Sequence, residues 1–416
     1  MELPNALLRR FPVNRLGLAY GMFTTTLIAL SSQFTQRYWP LAMSLALCLR
    51  VAGWTMAALG FFALLRQVQK GFSLPLRTVL FVCALLATPF FLTQPVLAGD
   101  MYAYIASVKV SALGNPYVLT PAALGADPIR AGIFELWQGW PMTYGPLWGL
   151  LVKGLSMITT NAVVLLFAFR LLGLAAMLWA SWLIGRATTP DRATLLAWSP
   201  IVLVEVIGDG HNDLLVGLAL LLAVVLAQRP VRSVLGFAAS VALKYVPIIT
   251  LPAFIAAAPS GGRVRRAVLL MGVAVVGFIL CLLPFWVGPK TFAGFQDQAA
   301  LFTLPVFFPQ FLVFLFSFFH PTLLHPEAFA RAVGIASFFV AWSTVTWFAW
   351  RRKLTLPAAV TLTLAAYLVL AASYVQTWYV LWLLPLVLLL RTRHALRWTA
   401  VISITWAAMQ LVHLPA

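Results

Sequence analysis

The chain of 416 residues is 62% hydrophobic and 9% charged, where an average soluble domain is about 25% charged. So few charges cannot cover a soluble globule of this length, which excludes a cytosolic enzyme, a disordered chain and a disulfide-stapled secreted domain. Net charge is +18, from 28 Lys and Arg against 10 Asp and Glu, and the basic residues cluster between apolar runs, which marks cytoplasmic loops of a multi-span membrane protein rather than a nucleic-acid surface.

A helix needs about 20 apolar residues to cross the hydrocarbon. Runs of that kind predict spans at 15–35, 41–65, 77–97, 162–185, 193–207, 213–228, 267–288, 329–350, 356–372, 375–391 and 397–414. The first run is too long for a removable leader and lacks a small-residue cleavage site, so it is expected to stay as an anchor. Segment 233–257 is broken by Lys244, Pro247 and Pro252 and reads as two half-spans. Segments 143–160 and 305–320 are apolar but carry several aromatics and a nearby proline. Cys48, Cys83 and Cys281 lie inside apolar runs and read as packing residues.

Basic clusters set the orientation. Arg9, Arg10 and Arg15 put the N-terminal segment inside, and so do Arg66, Lys70 and Arg77 for theirs. The same side takes Arg186 with Arg192, Arg229 with Arg232, the group Arg263, Arg265, Arg266, the group Arg351, Arg352, Lys353, and the group Arg391, Arg393, Arg397. Parity then leaves 98–142 outside and one crossing, 162–185, before Arg186. Segment 143–160 becomes an outer juxtamembrane helix, 305–320 becomes non-spanning, and 233–257 goes out and returns with Lys244 near the outer turn. The expected fold is an all-α polytopic membrane protein, a bundle of about 13 transmembrane helices. Residues 1–416 form a single integral membrane domain, with an outer catalytic loop at 98–160 and supporting spans at 329–416.

With so few acids, each ionisable group near the membrane is a functional candidate. Asp100 sits in Gly99-Asp100-Met101-Tyr102-Ala103-Tyr104, just past the third span. At helical spacing it shares a face with Tyr104, while Tyr102 points elsewhere. The carboxylate suits a general base acting on a sugar hydroxyl; it equally suits a helix N-cap after Gly99. Asp209, His211, Asn212 and Asp213 crowd one short loop between two spans. That loop reads as a capping turn, as a divalent-metal site, or, the preferred reading, as hydrogen-bonding groups for a polyhydroxylated ligand or phosphate.

Lys244, alone in a long apolar stretch, is a candidate cation for a donor phosphate or a snorkelling side chain. Gln376 lies in Tyr374-Val375-Gln376-Thr377-Trp378-Tyr379 with Trp382 one turn on; an amide beside aromatics grips sugar rings, although an aromatic belt is expected there. Trp137, Trp140, Tyr144 and Trp148 invite the same reading. Glu205 is a candidate partner for Lys244 or Arg170, and Lys153 and Arg50 are embedded without an assigned role. His320, His325 and Glu327 form a looser outer group read as structural. There is no P-loop, no dinucleotide-type glycine turn, no HExxH and no serine-nucleophile elbow, so a donor handled here is membrane-borne or soluble outside.

Five segments in order carry a family resemblance: Gly99 to Tyr104 followed by Asn115-Pro116-Tyr117, then Tyr144-Gly145-Pro146-Leu147, His211-Asn212-Asp213, Lys244-Tyr245-Val246-Pro247 and Gln376-Thr377-Trp378-Tyr379. They resemble the bacterial polyprenol-phosphate-mannose-dependent α-1,6-mannosyltransferases (MptB type) of the GT-C superfamily, over roughly residues 80–390. The resemblance implies a GT-C type bundle in the bacterial cytoplasmic membrane with its active site on the outer face. It implies Asp100 as the catalytic residue and a β-linked polyprenyl-phosphate sugar as donor. Transfer then inverts to an α product on a glycan or glycolipid acceptor, with no metal and no cofactor. Tyr102, Tyr104, Asn115, Tyr117, Tyr144, Asp209, His211, Asn212, Asp213, Lys244, Gln376, Trp378 and Tyr379 become the expected substrate contacts. Met101 follows Asp100, so the paired acidic motif of many GT-C enzymes is a single Asp here. The competing class is a secondary transporter or a flippase for a lipid-linked sugar. Against it stand the long outer loop, no visible inverted repeat, and polar groups at the outer boundary rather than the midplane.

Overall fold

The structure, a computed structural model, describes residues 15–35, 40–95, 99–258, 260–300, 308–319, 326–372, 374–390 and 393–412. Arg9, Arg10, His320, His325 and Arg391 lie outside the described residues. Every regular element among the described residues is helical, as hydrocarbon demands of a chain that must pair its own backbone groups.

Among the described residues, four helices are long and apolar enough to cross: Leu45–Gln69, Ala162–Ala187, Arg263–Phe285 and Glu327–Trp350. A pair bent by 119°, Pro200–Gly208 and Asp213–Val225, makes a fifth if it is one span. The other expected spans hold shorter apolar helices, among them Leu76–Phe91, Leu356–Ala371 and Thr377–Val387. The chain is therefore a multi-pass membrane protein, and helix length alone credits fewer crossings than the expected bundle.

The chain divides into two compact units. The first comprises Met1–Met101, Val163–Leu214 and Arg391–Ala416. Its helices Arg15–Thr35 and Pro40–Gln69 are tied by the Tyr20 hydroxyl, which donates to the Met56 carbonyl at 2.6 Å. Thr24 and Thr26 donate back to Tyr20 and Met22 carbonyls, so neither hydroxyl is left dry. The Trp198 indole donates to the Val79 carbonyl at 3.1 Å. The expected span at 193–207 is broken. Helix Pro190–Ala197 ends, Ser199 is extended (φ −67°, ψ 126°), and the helix restarts at Pro200. The proline ring disfavours the α region for the residue before it.

The second unit comprises Tyr102–Ala162 and Leu215–Leu390. Helix Pro146–Ser156 has 11 residues and reaches about 16 Å, too short to cross. Phe308–Phe319, with 12 residues, is likewise too short. Segment 233–257 is indeed two pieces: helix Pro230–Leu243 ends at an extended Lys244 (φ −154°, ψ 135°), followed by Val246–Thr250 and Leu251–Ala256. Instead of one span at 375–391 there is a three-residue-per-turn helix, Thr377–Trp382, and a four-residue turn, Leu384–Val387. Pro385 has no amide hydrogen, so an α ladder cannot run through it.

Specific bonds hold the stretch from 102 to 160. Lys153 Nζ donates to the Ser111 carbonyl at 2.9 Å. Lys109 Nζ meets Asp127 Oδ2 at 2.5 Å, and Asp127 Oδ1 accepts from the Ile129 amide at 3.0 Å. The Lys109 hydrogen bond, then that of the Ile129 amide, holds the Asp127 carboxyl below its ordinary value of 3.8. A lowered carboxyl stabilises above the unfolded pKa, and the contribution is lost as pH falls through the folded one. Hydrogen exchange at Ile129 should therefore be slowed more at pH ~6 than at pH ~3 relative to an unfolded peptide, and Asp127→Asn should lose that difference. Equal protection at both pH values would contradict this.

Candidate active site

In the first unit the acidic residues gather. Asp100 is the first residue of helix Asp100–Leu113 and is 3% exposed. Unpaired amides and the positive end of the helix dipole favour a carboxylate there. His211 lies between two carboxylates: its Nδ1 is 3.9 Å from Asp100 Oδ2 and its Nε2 is 3.3 Å from Glu205 Oε2. The far oxygen of Glu205, Oε1, accepts from the Trp406 indole at 2.5 Å. A line thus runs Asp100, His211, Glu205, Trp406. Asp209, Asn212 and Asp213 are buried beside it, and the charge of Arg50 acts on Asp209.

Backbone geometry explains how five residues can place these groups. Gly210 has φ +75°, and a Cβ there would strike the Met101 side chain. Glycine adopts this conformation without strain. The Asp209 amide donates to the Val204 carbonyl at 2.8 Å and the His211 amide to the Glu205 carbonyl at 2.9 Å, which folds His211 back over Glu205. Arg170, fully buried on helix Ala162–Ala187, donates to the carbonyls of Thr93 (2.7 Å), Ile207 (3.1 Å) and Gly208 (3.2 Å). It clamps the stretch of chain leading to Asp100 against the one leading to Asp209.

Glu205, expected to partner Lys244 or Arg170, meets His211 and Trp406. Spacing at i and i+4 puts Glu205 and Asp209 on one face, but no local signal points to Trp406, 201 residues away. Glu205, Asp209 and His211 each offer a ligand atom within 4.8 Å of the others, a set that could hold a metal ion.

In the second unit Lys244 sits in an aromatic box. Its Nζ is 4.5 Å from the Tyr379 ring centroid, 5.0 Å from Trp382 and 5.8 Å from Tyr144. Tyr379 and Trp382 stack at 4.5 Å, and Tyr104 meets Tyr144 and Trp148 edge-on at 5.2 and 4.9 Å. Such cation–π contacts are worth about 0.5–2 kcal/mol each. Gly145 makes the box possible. Its amide donates to the Leu243 carbonyl at 3.0 Å, and a Cβ would overlap the Ala242 carbonyl, so only glycine lets Tyr144 come beside Lys244.

Other expected contacts have different work. Asn115 Nδ2 donates to the Phe285 carbonyl at 2.7 Å while its Oδ1 accepts from the Tyr117 amide. The Tyr117 hydroxyl, on a side chain 1% exposed, lies 3.0 Å from the Tyr144 carbonyl and 2.9 Å from that of Gly145. Tyr117 thus braces the 144–145 segment, and Asn115 ties Tyr117 to Phe285. Tyr102 packs over Gly132. Trp378 meets Tyr379 edge-on at 6.2 Å, and Gln376 is extended and half-buried before the Thr377–Trp382 helix.

Comparison with known proteins follows the same residues. A family model described as alpha-(1->6)-mannopyranosyltransferase, N-terminal domain, matches residues 16–260, more than half of the chain. A probable alpha-(1->6)-mannopyranosyltransferase of Mycolicibacterium smegmatis is 29% identical over 32% of this chain and 26% of its own length. An alpha-(1->6)-mannopyranosyltransferase of Mycobacterium tuberculosis is 27% identical over 32% of this chain and 24% of its own length. Alpha-(1->6)-mannopyranosyltransferase B of Corynebacterium glutamicum is 30% identical over 32% and 25%. The aligned stretch thus spans about a quarter of each of these relatives. No solved structure matches. The chain belongs to the alpha-(1->6)-mannopyranosyltransferase family.

Proposed function

We propose that this protein is an inverting mannosyltransferase. It moves mannose from a polyprenyl-phosphate donor to a glycan or glycolipid acceptor on the outer side of the bacterial cytoplasmic membrane. The observation that carries the reading is the buried Asp100 carboxylate, set at a helix N-terminus and backed by His211 and Glu205. Asp100 accepts the acceptor hydroxyl's proton as that oxygen attacks the anomeric carbon. The bond from that carbon to the phosphate oxygen breaks, and its electron pair leaves with polyprenyl phosphate. Lys244 supplies positive charge where the phosphate's negative charge develops. Tyr104, Tyr144, Tyr379, Gln376 and Trp378 offer ring faces and an amide to the sugar. Asp209, Asn212 and Asp213 offer acceptors and donors for its hydroxyls.

The reading assigns no metal, although Glu205, Asp209 and His211 offer ligand atoms within 4.8 Å of one another. Purified protein in lipid, given radiolabelled polyprenyl-phosphate-mannose, a short α-mannoside and EDTA, should yield a product longer by one α-linked mannose. Activity lost in EDTA and restored by one divalent ion would instead make Glu205, Asp209 and His211 metal ligands.

One observation favours the second class. The helix pair bent by 119° with buried Asp209 and His211 at its break has the form of the discontinuous helices of transporters. Transfer of labelled donor across sealed proteoliposomes without any glycan product would select that reading.

A further inference from the structure

Lined by no residue of either cluster, a cavity of about 230 Å³ in the second unit is several times a water's share of liquid volume. Gln228, Arg266, Arg352 and Thr355 supply its polar wall, and alanines much of the rest. The two arginines reach it from different helices. Arg266, near the start of helix Arg263–Leu282, is 8% exposed. Its Nη1 donates to the Ala227 carbonyl at 3.1 Å and its Nη2 to Ser233 Oγ at 2.9 Å. Its Nε is buried without a hydrogen-bond partner among the described residues. Arg352 follows the end of helix Pro326–Trp350 and has φ +61°, the one non-glycine residue among those described in the left-handed region. Glycine is the residue that takes this helix-ending position without strain. Arginine here sends its guanidinium to the carbonyls of Ala257 (3.2 Å) and Ala258.

Charge makes the cavity unusual. Neither arginine is ion-paired among the described residues. The acids of this unit are Asp127, Glu135, Asp297 and Glu327, and each falls in a segment that the basic clusters assign to the opposite side of the membrane. The buried Arg266 and the exposed Arg352 thus bring two guanidinium groups to one cavity, with one buried N–H of Arg266 unused and no carboxylate among the described residues to offset them. A buried, uncompensated charge such as that of Arg266 is costly, and a bound anion removes that cost. Depth says which anion. Arg263 stacks over Trp350 at 4.1 Å and Arg351 over Trp347 at 4.7 Å; tryptophans beside arginines at helix ends mark the headgroup level.

We propose that this cavity binds the phosphodiester headgroup of an anionic phospholipid from the cytoplasmic leaflet, with Arg266 and Arg352 as its cationic walls. Arg266 Nε and the free guanidinium hydrogens of Arg352 donate to the phosphate oxygens, and the acyl chains remain in the bilayer. The site shares no residue with the proposed sugar-transfer machinery and anchors the inner ends of helices Arg263–Leu282 and Pro326–Trp350 to that leaflet.

The test uses the full chain in a neutral detergent, with thermal unfolding followed as phosphatidylglycerol, phosphatidylcholine or inorganic phosphate is added at matched phosphate concentration. Phosphatidylglycerol should raise the melting temperature, and the other two should not. Arg352→Gly relieves the backbone, so it should melt no lower than wild type without lipid, yet need about five- to tenfold more phosphatidylglycerol for half the effect. Arg266→Gln should show the same loss if it folds. Arg265→Gln, which removes an exposed charge beside the cavity, should change the response less than about twofold. An equal response to phosphatidylcholine, or a wild-type response in Arg352→Gly, overturns the proposal. An equal response to inorganic phosphate overturns the lipid assignment and makes the cavity a soluble-anion site.

Discussion

Asp100→Asn is expected to lower mannosyl transfer by about 10² to 10⁴-fold, the range a positioned general base supplies, while expression and melting temperature stay near wild type. Asparagine keeps the size and the hydrogen-bonding edge of the side chain, and it also serves well at a helix start. What it loses is the ability to take a proton. Glu205→Gln should fall between the two, with about a tenfold loss, because His211 keeps its Asp100 neighbour but loses the charge on its other side. It is also expected to move the pH profile of transfer, which a packing defect would not do. The measurement is initial rate against pH for wild type and both variants, with polyprenyl-phosphate-mannose as donor and a short α-mannoside as acceptor. Near-normal transfer by Asp100→Asn would remove the base assignment and leave the acidic cluster a structural device.

Arg170→Met is expected to destabilise the first unit by about 3 kcal/mol or more. Three buried backbone carbonyls, of Thr93, Ile207 and Gly208, lose their donor together, and each unsatisfied buried group costs roughly 1–3 kcal/mol. Arg170→Lys should recover part of this, since an ammonium can reach one or two of the carbonyls but cannot copy the planar fork. Melting in detergent gives the stability. Transfer assayed below the melting point then separates folding from positioning: if the clamp sets the geometry of Asp100 against His211, the folded fraction of Arg170→Lys is slower per molecule. A wild-type melt for Arg170→Met would show that the three bonds contribute little.

The physical content of the two clusters differs. Around Asp100 the groups are ionisable and buried, and they are held by backbone turns and by one arginine. Around Lys244 the ring faces of Tyr144, Tyr379 and Trp382 approach the ammonium.

Helical class and membrane residence are legible in the amino-acid sequence alone. They follow from apolar run length, because the hydrocarbon sets both the period and the length of what can cross it. The break at Lys244 is visible for a similar reason: a charge followed by prolines cannot continue an apolar helix. Asp100 and His211 stand out because ionisable groups are rare in this chain, and the resemblance at these motifs agrees with the family match over residues 16–260. Tertiary structure decides the rest. Trp406 as the partner of Glu205, and Arg170 as a clamp between Thr93 and Gly208, are contacts across long sequence separations, and an apolar helix gives no sign of which neighbour it will meet. Asn115 and Tyr117 have the residue types of ligand contacts, and only the folded loop brings Asn115 Nδ2 and the Tyr117 hydroxyl to the Phe285 and Gly145 carbonyls. The spans expected at 193–207 and 375–391 are interrupted because hydropathy counts side chains. Pro200 and Pro385 act through the backbone, by a missing amide hydrogen and a steric limit on the preceding residue. Composition and periodicity are local sums over side chains and survive in the sequence; a site is a coincidence of distant backbone positions, and only the packed chain creates it.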